Sequence, residues 1–409
     1  MQAVLERCAG LDVHQATVVA TARVLDDQGN RQVITHTFET TTAGLLVLRE
    51  WLQAHGVRQV AMESTGVYWK PVYYVLEDGF EVLLVNMRHL THVPGRKSDV
   101  RDSEWLAQLL EAGLLRGSLV PPEPIRDLRD LTRYRKKQIQ DRTAEVNRLY
   151  RILEDAGVKL ASVLTDVMGV SGRAILEALL QGTTDPEVLA ELARGRLRRK
   201  LPALRAALVA PFRPHHAFLV GQILAKIDFL EETIATLTEE IDRHLAPFEA
   251  TLARLDAIPG VNRAGATAIL VETGADMSRF PTAGHLCSWA GMCPGQDESA
   301  GKRRSAKTRK ANPYLRGALI QCGLAATHTK DTALAARYVR VKRQRGHKKA
   351  VVAVGHQILE IAYYLMRDAV EYRELGPNYL DARDRERARR RHIRQLEALG
   401  FKVRVEEAA

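Results

Sequence analysis

The sequence predicts an α/β N-terminal domain, then a long-helix or coiled-coil region, and then a mainly α-helical C-terminal domain. Three observations support this: strand-like and helix-like runs alternate at the start, two long stretches of helical spacing occupy the middle, and short helical runs broken by Gly and Pro follow. A chain of 409 residues is too long for one ordinary core, so several domains are expected. The predicted domains are 1–120 (α/β), 121–250 (helical, dimerisation), 251–370 (C-terminal) and 371–409 (basic tail).

The α/β domain is predicted from the order of its elements. Three strand-like runs between 8 and 40 are broken by turn signals that include Gly29 and Asn30. They precede a helical pattern at 42–55, a strand at 58–63, a helix at 67–79, a strand at 81–87 and a helix at 100–113. The order β-β-β-α-β-α-β-α is that of a ribonuclease-H-like fold, in which crossover helices place the later strands beside the first.

Four carboxylates stand at particular places of this domain. Asp12 lies in the middle of the first strand, where Asp is disfavoured, and Glu63 ends the fourth strand. Asp99 and Asp102 are three residues apart at a helix start, so they project from one face. Each has an ordinary alternative: a solvent-facing edge, a strand end, or the positive N-terminus of a helix. Because this fold brings the three places to one edge, we expect the four carboxylates to form one site.

A cluster of four carboxylates repels itself unless hard cations bind it. Mg²⁺ prefers oxygen ligands, and two such ions about 4 Å apart can clamp the attacking and leaving oxygens of a phosphodiester. The carboxylates therefore predict a two-metal Mg²⁺ site for phosphoryl transfer, with Mn²⁺ as the alternative ion.

Two long helices are predicted in the middle of the chain, at 125–155 and 218–245. The first has a narrow apolar seam among many arginines and the second has a more regular seam, so the two are suited to pair as a coiled coil. Dimerisation combined with phosphate-backbone binding and packing within one chain are both open. His215 and His216 are adjacent, so we do not expect them to present two ligands on one helical face, and we assign them no metal.

The stretch LDAIPGVNRAGATAIL at 255–270 combines an apolar run, a Pro-Gly-Val turn and a helix of small residues. The pattern resembles a helix-hairpin-helix, in which backbone N–H groups at the start of the second helix face a DNA phosphate. Gly260 would permit the close approach of that phosphate. An ordinary turn between two helices is the alternative.

A polar and basic island at 296–316 interrupts apolar sequence, and we expect a functional loop there. It contains Ser299, and a hydroxyl among cations suits phosphate chemistry because the cations stabilise charge on a phosphoryl group. The cations predicted to bind nucleic acid are Lys302, Arg303, Arg304, Lys307, Arg309 and Lys310. The alternative is a solvated basic loop in which the serine is incidental.

The overall charge indicates a polyanionic partner. A formal net charge of +11 and a pI near 9.5 favour nucleic acid, and further basic runs occur at 335–349 and 381–394. Neither a long uncharged apolar run nor a signal-peptide pattern is present, so we expect a cytosolic protein without a membrane partner. The four cysteines lack CxxC spacing, which favours buried free thiols over a zinc site.

Six motifs carry a resemblance that covers nearly the whole chain. They are GLDVH, AMESTGVYW, GRKSDVRDSEWLA, IPGVNRAGATAILVETG, FPTAGHLCSWAGMCPG and SAGKRRSAKTRKANPYLR. In order and spacing they resemble the RuvC-like DEDD transposases of the insertion sequences that encode a bridge RNA, which are relatives of the Piv-type DNA invertases.

This resemblance implies roles for individual residues. Asp12, Glu63, Asp99 and Asp102 would be the metal ligands, and Ser299 would be the nucleophile that becomes joined to DNA. A bridge RNA would pair with donor and target DNA, in a dimeric or tetrameric protein of the prokaryotic cytosol that associates with the nucleoid. The family usually shows Ser-Gly-Gly-Lys where this chain has Ser-Ala-Gly-Lys, a change that matters if that position needs a positive φ. The arginine-rich tail matches no family motif.

The predicted function is therefore that of a DNA transposase or site-specific recombinase of an insertion sequence, with a composite site of carboxylates and serine. A RuvC-like junction-resolving nuclease would use the same carboxylates with water as the nucleophile. A Piv-type DNA invertase is a further alternative, and a non-catalytic nucleic-acid-binding scaffold would not need the four carboxylates.

Overall fold

The computed structural model describes residues 4–26, 28–64, 66–86, 99–295, 297–299, 302–305, 307–400 and 402–404. At 99–101, 297–299, 302–305, 380–384, 386–388 and 391 this description covers the backbone alone. The chain divides into two compact units, Met1–Pro121 and Pro122–Ala409. The finer division of the second unit into three parts stays a prediction.

The first unit is a five-stranded mixed sheet with helices, as the sequence predicts. Its elements are β1 (Cys8–Val13), β2 (Thr17–Leu25), β3 (Arg31–Glu39), α1 (Thr42–Ala54), β4 (Gln59–Glu63), α2 (Trp69–Leu76), β5 (Glu81–Val85) and α3 (Asp99–Glu111). The strand order is β3-β2-β1-β4-β5. Strands β1, β2 and β3 pair antiparallel, whereas β4 pairs parallel with both β1 and β5.

Each face of this sheet packs on different helices. On one face, Leu11 and Val60 share a buried core with Leu48 of α1 and Leu76 of α2. The opposite face of the sheet, which carries Cys8, Ala61 and Val85, packs on three leucines of α3 (Leu106, Leu109 and Leu110). Side chains alternate between faces along a strand, so Gly10 and Asp12 lie on the α3 face of β1.

The second unit is mostly helical. Its helices are α4 (Glu123–Asp155), α5 (Leu160–Val163), α6 (Val170–Leu180), α7 (Pro186–Glu191), α8 (Leu201–Leu208), α9 (Pro214–Leu245), α10 (Glu249–Asp256), α11 (Arg263–Thr273), α12 (Ala283–Trp289), α13 (Pro313–Ala326), α14 (Ala333–Arg345), α15 (His347–Asp368) and α16 (Tyr379–Ala398). A two-stranded sheet of β6 (Asp297–Ser299) and β7 (Lys302–Ser305) lies between α12 and α13. The mainly α-helical character predicted for this part of the chain is confirmed.

Helices α4 and α9 pair antiparallel within the chain. Arg142 pairs with Glu231, and further along α4 the Glu145 carboxylate pairs with Lys226, so the two helices run in opposite directions. Leu149 of α4 shares a buried core with residues of α9 and of the short helices α5 to α8. Packing of the two helices within one chain is thus observed, and dimerisation through this region stays a prediction.

Helix α15 packs against four of the remaining helices, α10, α12, α13 and α14. Tyr363 of α15 is almost fully buried, and its hydroxyl donates a 2.9 Å hydrogen bond to the Phe280 carbonyl. Among the described residues, no helix combines the length and the apolar character that crossing a membrane requires.

All four cysteines are free, as predicted. Cys8, Cys287 and Cys322 are buried, and Cys293 is partly buried. Burial raises the pKa of the Cys8 and Cys322 thiols to about 11, so both are neutral at physiological pH. Their role is that of small apolar core residues.

Candidate active site

The first two predicted carboxylates lie side by side at one end of the sheet. Strands β1 and β4 are parallel, with Leu11 opposite Met62, so the next residues, Asp12 and Glu63, continue this register. Glu63 is opposite Val85, which belongs to the core on the α3 face. Both carboxylates therefore lie on the α3 face of neighbouring strands, as the predicted fold requires.

Helix α3 crosses this face at very close range. Gly10 lies directly under it, and a Cβ atom there would overlap the Ser103 carbonyl and the Ala107 amide. Ser103 Oγ also forms a 2.8 Å hydrogen bond with Thr21 Oγ1 of β2. Cys8 contacts Ala107, so α3 runs antiparallel to β1 and begins beyond Gly10, at the end of β1 where Asp12 lies.

This crossing places the predicted Asp-x-x-Asp pair near the other two carboxylates. Asp102 is partly buried and directly precedes Ser103, the residue bonded to β2. Asp99 is the first residue of α3, and its side chain lies outside the described residues. Asp12, Glu63 and the start of α3 are thus brought to one end of the sheet, where oxygen ligands of this kind fit a hard divalent cation.

The far end of α3 is fixed by a buried carboxylate that sequence reasoning missed. Glu111 is 6% exposed and accepts a 2.8 Å bond from Arg23 Nε, and its other oxygen contacts Arg31. The Glu111 carbonyl accepts hydrogen bonds from the backbone of Val4 and Leu5. Charged partners on β2 and β3 therefore hold the helix whose first turn carries the aspartates.

His14 is a second residue of the site that sequence reasoning missed. Its Nε2 lies 3.2 Å from Asp12 Oδ2, and its side chain is 44% exposed. The signal was the motif GLDVH itself, in which His14 directly follows β1 and is two residues from Asp12.

Ser299 lies on a β-hairpin, whereas the sequence predicted a loop. Its backbone pairs with Lys302 across the two strands, and Glu298 is opposite Arg303. All these residues are polar, so the alternating apolar pattern that reveals a strand was missing. The available signal was the sequence placement of acidic residues (Asp297 and Glu298) before Gly301 and of basic residues (Lys302 and Arg303) after it.

The segment that precedes β6 also pairs with the segment that follows β7. Pro294 forms a bridge with Thr308, and the Gly295 amide donates a 2.9 Å hydrogen bond to the Lys307 carbonyl. A Cβ atom on Gly291 would lie 2.6 Å from that of Ala311. Residues 291–295 and 307–311 therefore form a closely packed stem that carries the serine.

The predicted nucleic-acid-binding cations follow the serine. Lys302, Arg303 and Arg304 belong to β7, where only the backbone is described. The other three, Lys307, Arg309 and Lys310, are exposed or partly exposed. Accessible cations beside the serine stem suit contact with a phosphate backbone.

The backbone conformation of Gly260 and its packing within the protein both favour glycine at this position. Its φ is +84°, and a Cβ atom there would overlap the backbone of Ala326 at the end of α13. The turn does connect two helices, α10 and α11, and the Asn262 side chain accepts a 3.0 Å hydrogen bond from the Gly265 amide. The close approach is thus made by α13, and the predicted phosphate contact stays a prediction.

Asp155, His215 and His216 come together where α4 ends and α9 begins. One potential ligand atom from each lies within 4.8 Å of the others, so the adjacency of the histidines does not separate them as the sequence argument assumed. The hydrogen bonds of the His216 ring nevertheless argue against a metal ion at this place. The Arg213 amide donates to Nδ1 of His216, which leaves the proton on Nε2 to face Asp155 at 3.3 Å. Nδ1 of His216 is thus used in capping α9 and Nε2 contacts Asp155, and we assign no metal there.

Family models match both units of the chain. Residues 9–157 match a DEDD model of the IS110 type, described as a transposase. Residues 252–339 match the model described as "Transposase IS116/IS110/IS902 family". The first match contains the four carboxylates, and the second contains Ser299.

Two proteins of insertion elements are similar to this chain. The "Insertion element IS900 uncharacterized 42 kDa protein" of Mycobacterium paratuberculosis is 26% identical over 327 residues, which is 71% of this chain and 80% of the relative. The "Insertion element IS110 uncharacterized 43.6 kDa protein" of Streptomyces coelicolor is 31% identical over 126 residues, 30% of each chain. Together with the two models, these similarities show that the chain belongs to the IS110 family of DEDD transposases.

Proposed function

We propose that this chain is a transposase that cuts and rejoins DNA by Mg²⁺-dependent phosphoryl transfer, with Ser299 as the nucleophile. The observation that carries the proposal is the meeting of Asp12, Glu63 and the start of α3 at one end of a mixed sheet. A ribonuclease-H-like, RuvC-like fold for the first unit is part of the proposal and is supported by the strand order β3-β2-β1-β4-β5.

Different residues of the chain would have different roles in the reaction. Asp12, Glu63, Asp99 and Asp102 would hold the metal ions, which supply positive charge to the scissile phosphate when bound. Ser299 Oγ attacks phosphorus, so that a Ser299 O–P bond forms and the bond to the leaving sugar oxygen breaks. The hydroxyl proton goes to a base and the leaving oxygen gains a proton. The phosphoserine ester retains the phosphodiester energy, so a sugar hydroxyl can rejoin the strand by the reverse attack.

The partners of this reaction would be donor and target DNA with a bridge RNA as guide. The net charge of +11 and the accessible Lys307, Arg309 and Lys310 support binding of a polyanion. Helix α14 adds further cations, including Lys342, Arg343 and Arg345 in its last turn. The guide RNA itself rests on the family resemblance.

A second candidate is a nuclease that uses water in place of the serine. It is favoured by one observation, namely that all four carboxylates lie within Met1–Pro121, whereas Ser299 belongs to the other unit. In this case Ser299 would contact a phosphate without forming a bond to it.

Covalent attachment of DNA distinguishes the two candidates. Wild-type protein with guide RNA, DNA and Mg²⁺ should retain end-labelled DNA after denaturation, because the phosphoserine ester survives unfolding. Ser299→Ala should bind guide and DNA normally and form no adduct. Ser305→Ala, which changes the other serine of the same hairpin, should form the adduct as the wild type does.

Two outcomes contradict the proposal in different ways. An adduct that survives Ser299→Ala and is lost in Ser305→Ala moves the nucleophile to the other strand of the hairpin. Cleavage by the wild-type protein without any adduct supports the nuclease.

A further inference from the structure

A buried carboxylate outside every proposed site connects α4 to α11. Glu272 of α11 is 3% exposed. Arg133 of α4 binds it through two hydrogen bonds, Nε to Oε1 at 2.8 Å and Nη2 to Oε2 at 2.7 Å. Arg129 lies 3.6 Å from the same carboxylate and donates to the carbonyls of Val271 and Glu272. The early turns of α4 are thereby fixed to the end of α11.

The same carboxylate also holds the segment that leaves the serine hairpin. Asn312 Nδ2 donates a 2.6 Å hydrogen bond to Glu272 Oε2. The other end of this amide, Oδ1, caps α13 by accepting from the Tyr314 and Leu315 amides at 3.0 and 3.3 Å. Asn312 is therefore fixed at both polar ends, and its position depends on Glu272.

Asn312 is only one residue from the stem of the hairpin. Ala311 packs against Gly291, and Thr308 and Lys307 pair with Pro294 and the residue after it. A shift of Asn312 therefore moves one side of the stem relative to the other. The strand β7 and its partner β6, which carries Ser299, stand directly on this stem.

The connection is made of strong interactions because it is buried and charged. Burial lowers the pKa of Arg129, and the charge of Glu272 opposes that change. Hydrogen bonds to a buried ionised group are shorter and stronger than neutral ones. Replacing the carboxylate by an amide leaves one acceptor oxygen for the three side-chain donors of Arg133 and Asn312 and adds a further donor group.

We propose that Glu272 is a positioning residue for Ser299, which it holds in place through Asn312 and the hairpin stem. The proposal rests on the proposed function of Ser299. A carboxylate that served only to join α4 to α11 would need to bind only Arg129 and Arg133. The additional bond to Asn312 extends its effect to the serine segment.

The test compares Glu272→Gln with the wild-type protein by two measurements. Hydrogen exchange of the stem, 291–295 and 307–311, should become faster by at least about tenfold, the factor expected for loss of one charge-assisted hydrogen bond. The rate of the covalent step with bound DNA should fall by a similar factor, while DNA affinity changes by less than about twofold because surface cations determine it.

A second variant tests the link without disturbing the arginines. Asn312→Ser keeps a side-chain oxygen that caps α13, because serine is a good N-cap residue, but it has no amide to reach Glu272. It should reproduce the faster stem exchange and the slower covalent step. If Glu272→Gln fails to fold, Asn312→Ser tests by itself whether the bond between Glu272 and Asn312 positions the stem.

The matched control is Glu145→Gln. Glu145 is 4% exposed on the same helix α4, and Arg148 and Lys226 bind its carboxylate at 2.5 Å. These partners lie on α4 and α9, and the bonds described for Glu145 include none to Asn312 or to the stem. Glu145→Gln should lower the free energy of unfolding. It should leave hydrogen exchange of the stem and the rate of the covalent step unchanged.

Unchanged exchange in Glu272→Gln and Asn312→Ser, or an equal effect in Glu145→Gln, would overturn the proposal. Absence of any adduct in the wild type rejects the proposed function instead, while stem exchange still decides the positioning role.

Discussion

Gly10 shows at the scale of one residue how the carboxylates are brought together. In sequence it is an unfavourable strand residue next to Leu11 and Asp12. In the fold it is the point where α3 touches β1, with the Ser103 carbonyl in the space of a side chain. Glycine therefore sets the distance between Asp12 and the helix that carries Asp102.

Gly10→Ala should be strongly destabilising for this reason. The new methyl group overlaps backbone atoms of α3 that cannot move independently, so we expect a loss of about 2 kcal/mol or more in the free energy of unfolding. Denaturant unfolding measures it. Gly79→Ala is the control in the same unit, because its Cβ would have only Gln53 nearby, at 3.8 Å. Equal stability of both variants would contradict the close crossing.

Replacement of the carboxylates tests the proposed metal site residue by residue. Asp12→Asn, Glu63→Gln, Asp99→Asn and Asp102→Asn should each lower the strand-cleavage rate by at least about 100-fold, because metal ions contribute several kcal/mol to such reactions. Nucleic-acid affinity should stay nearly unchanged, since the cationic surfaces determine it. Cleavage assays and binding titrations at fixed salt measure the two effects. Normal Mg²⁺-dependent cleavage by two of these variants would reject the assignment.

At the scale of elements, the sequence predicted the sheet and the long helices because their patterns are local. Helical spacing predicted 218–245, and α9 is observed at Pro214–Leu245. The serine hairpin was missed because its strands are short and polar and are held by the stem below them. Arg23, Glu111 and Glu272 were missed because their partners are 40 to 143 residues away in sequence.

The ion pairs between α4 and α9 lead us to expect that the stability of the fold depends on pH in the acidic range. Hydrogen bonds from Lys226 and Arg148 hold the pKa of Glu145 below its ordinary value of 4.5. A lowered folded-state pKa stabilises the protein above the unfolded-state pKa, and this contribution is lost as the pH falls through the folded-state value. Glu145→Gln should cost about 1–3 kcal/mol at pH 7. The difference from the wild type should shrink below pH 4.5, as unfolding titrations at several pH values would show.

A difference between the two proteins that is independent of pH would mean that the carboxylate charge contributes nothing. The choice of Gln preserves volume, so packing of the neighbouring core is kept. The measurement therefore isolates the charge between the two helices.

At the scale of the whole molecule, the proposed catalytic groups are divided between the two compact units. The carboxylates belong to Met1–Pro121, and Ser299 belongs to Pro122–Ala409. Parts of the α4 and α9 seams face each other within the chain, and the dimerisation role of this region stays a prediction. Two DNA strands must be exchanged, which leads us to expect at least a dimer in the active complex.

Complementation tests whether one active site is shared between chains. Ser299→Ala and Asp12→Asn proteins should each be inactive, and a mixture should regain part of the recombination activity if one chain supplies carboxylates and another supplies serine. Recombination assays of the mixture, with light scattering of the protein with and without nucleic acid, measure both claims. Monomers under all conditions and no recovery of activity would contradict a shared site.

The boundary between Pro121 and Pro122 has a practical consequence. The buried clusters around β1 and α3 lie entirely before it, and the cluster of α4 to α9 lies entirely after it. Dividing the polypeptide at this boundary would separate the proposed metal ligands from the proposed nucleophile without cutting through those clusters. Under the proposed function, two fragments expressed separately from this position should each be inactive alone.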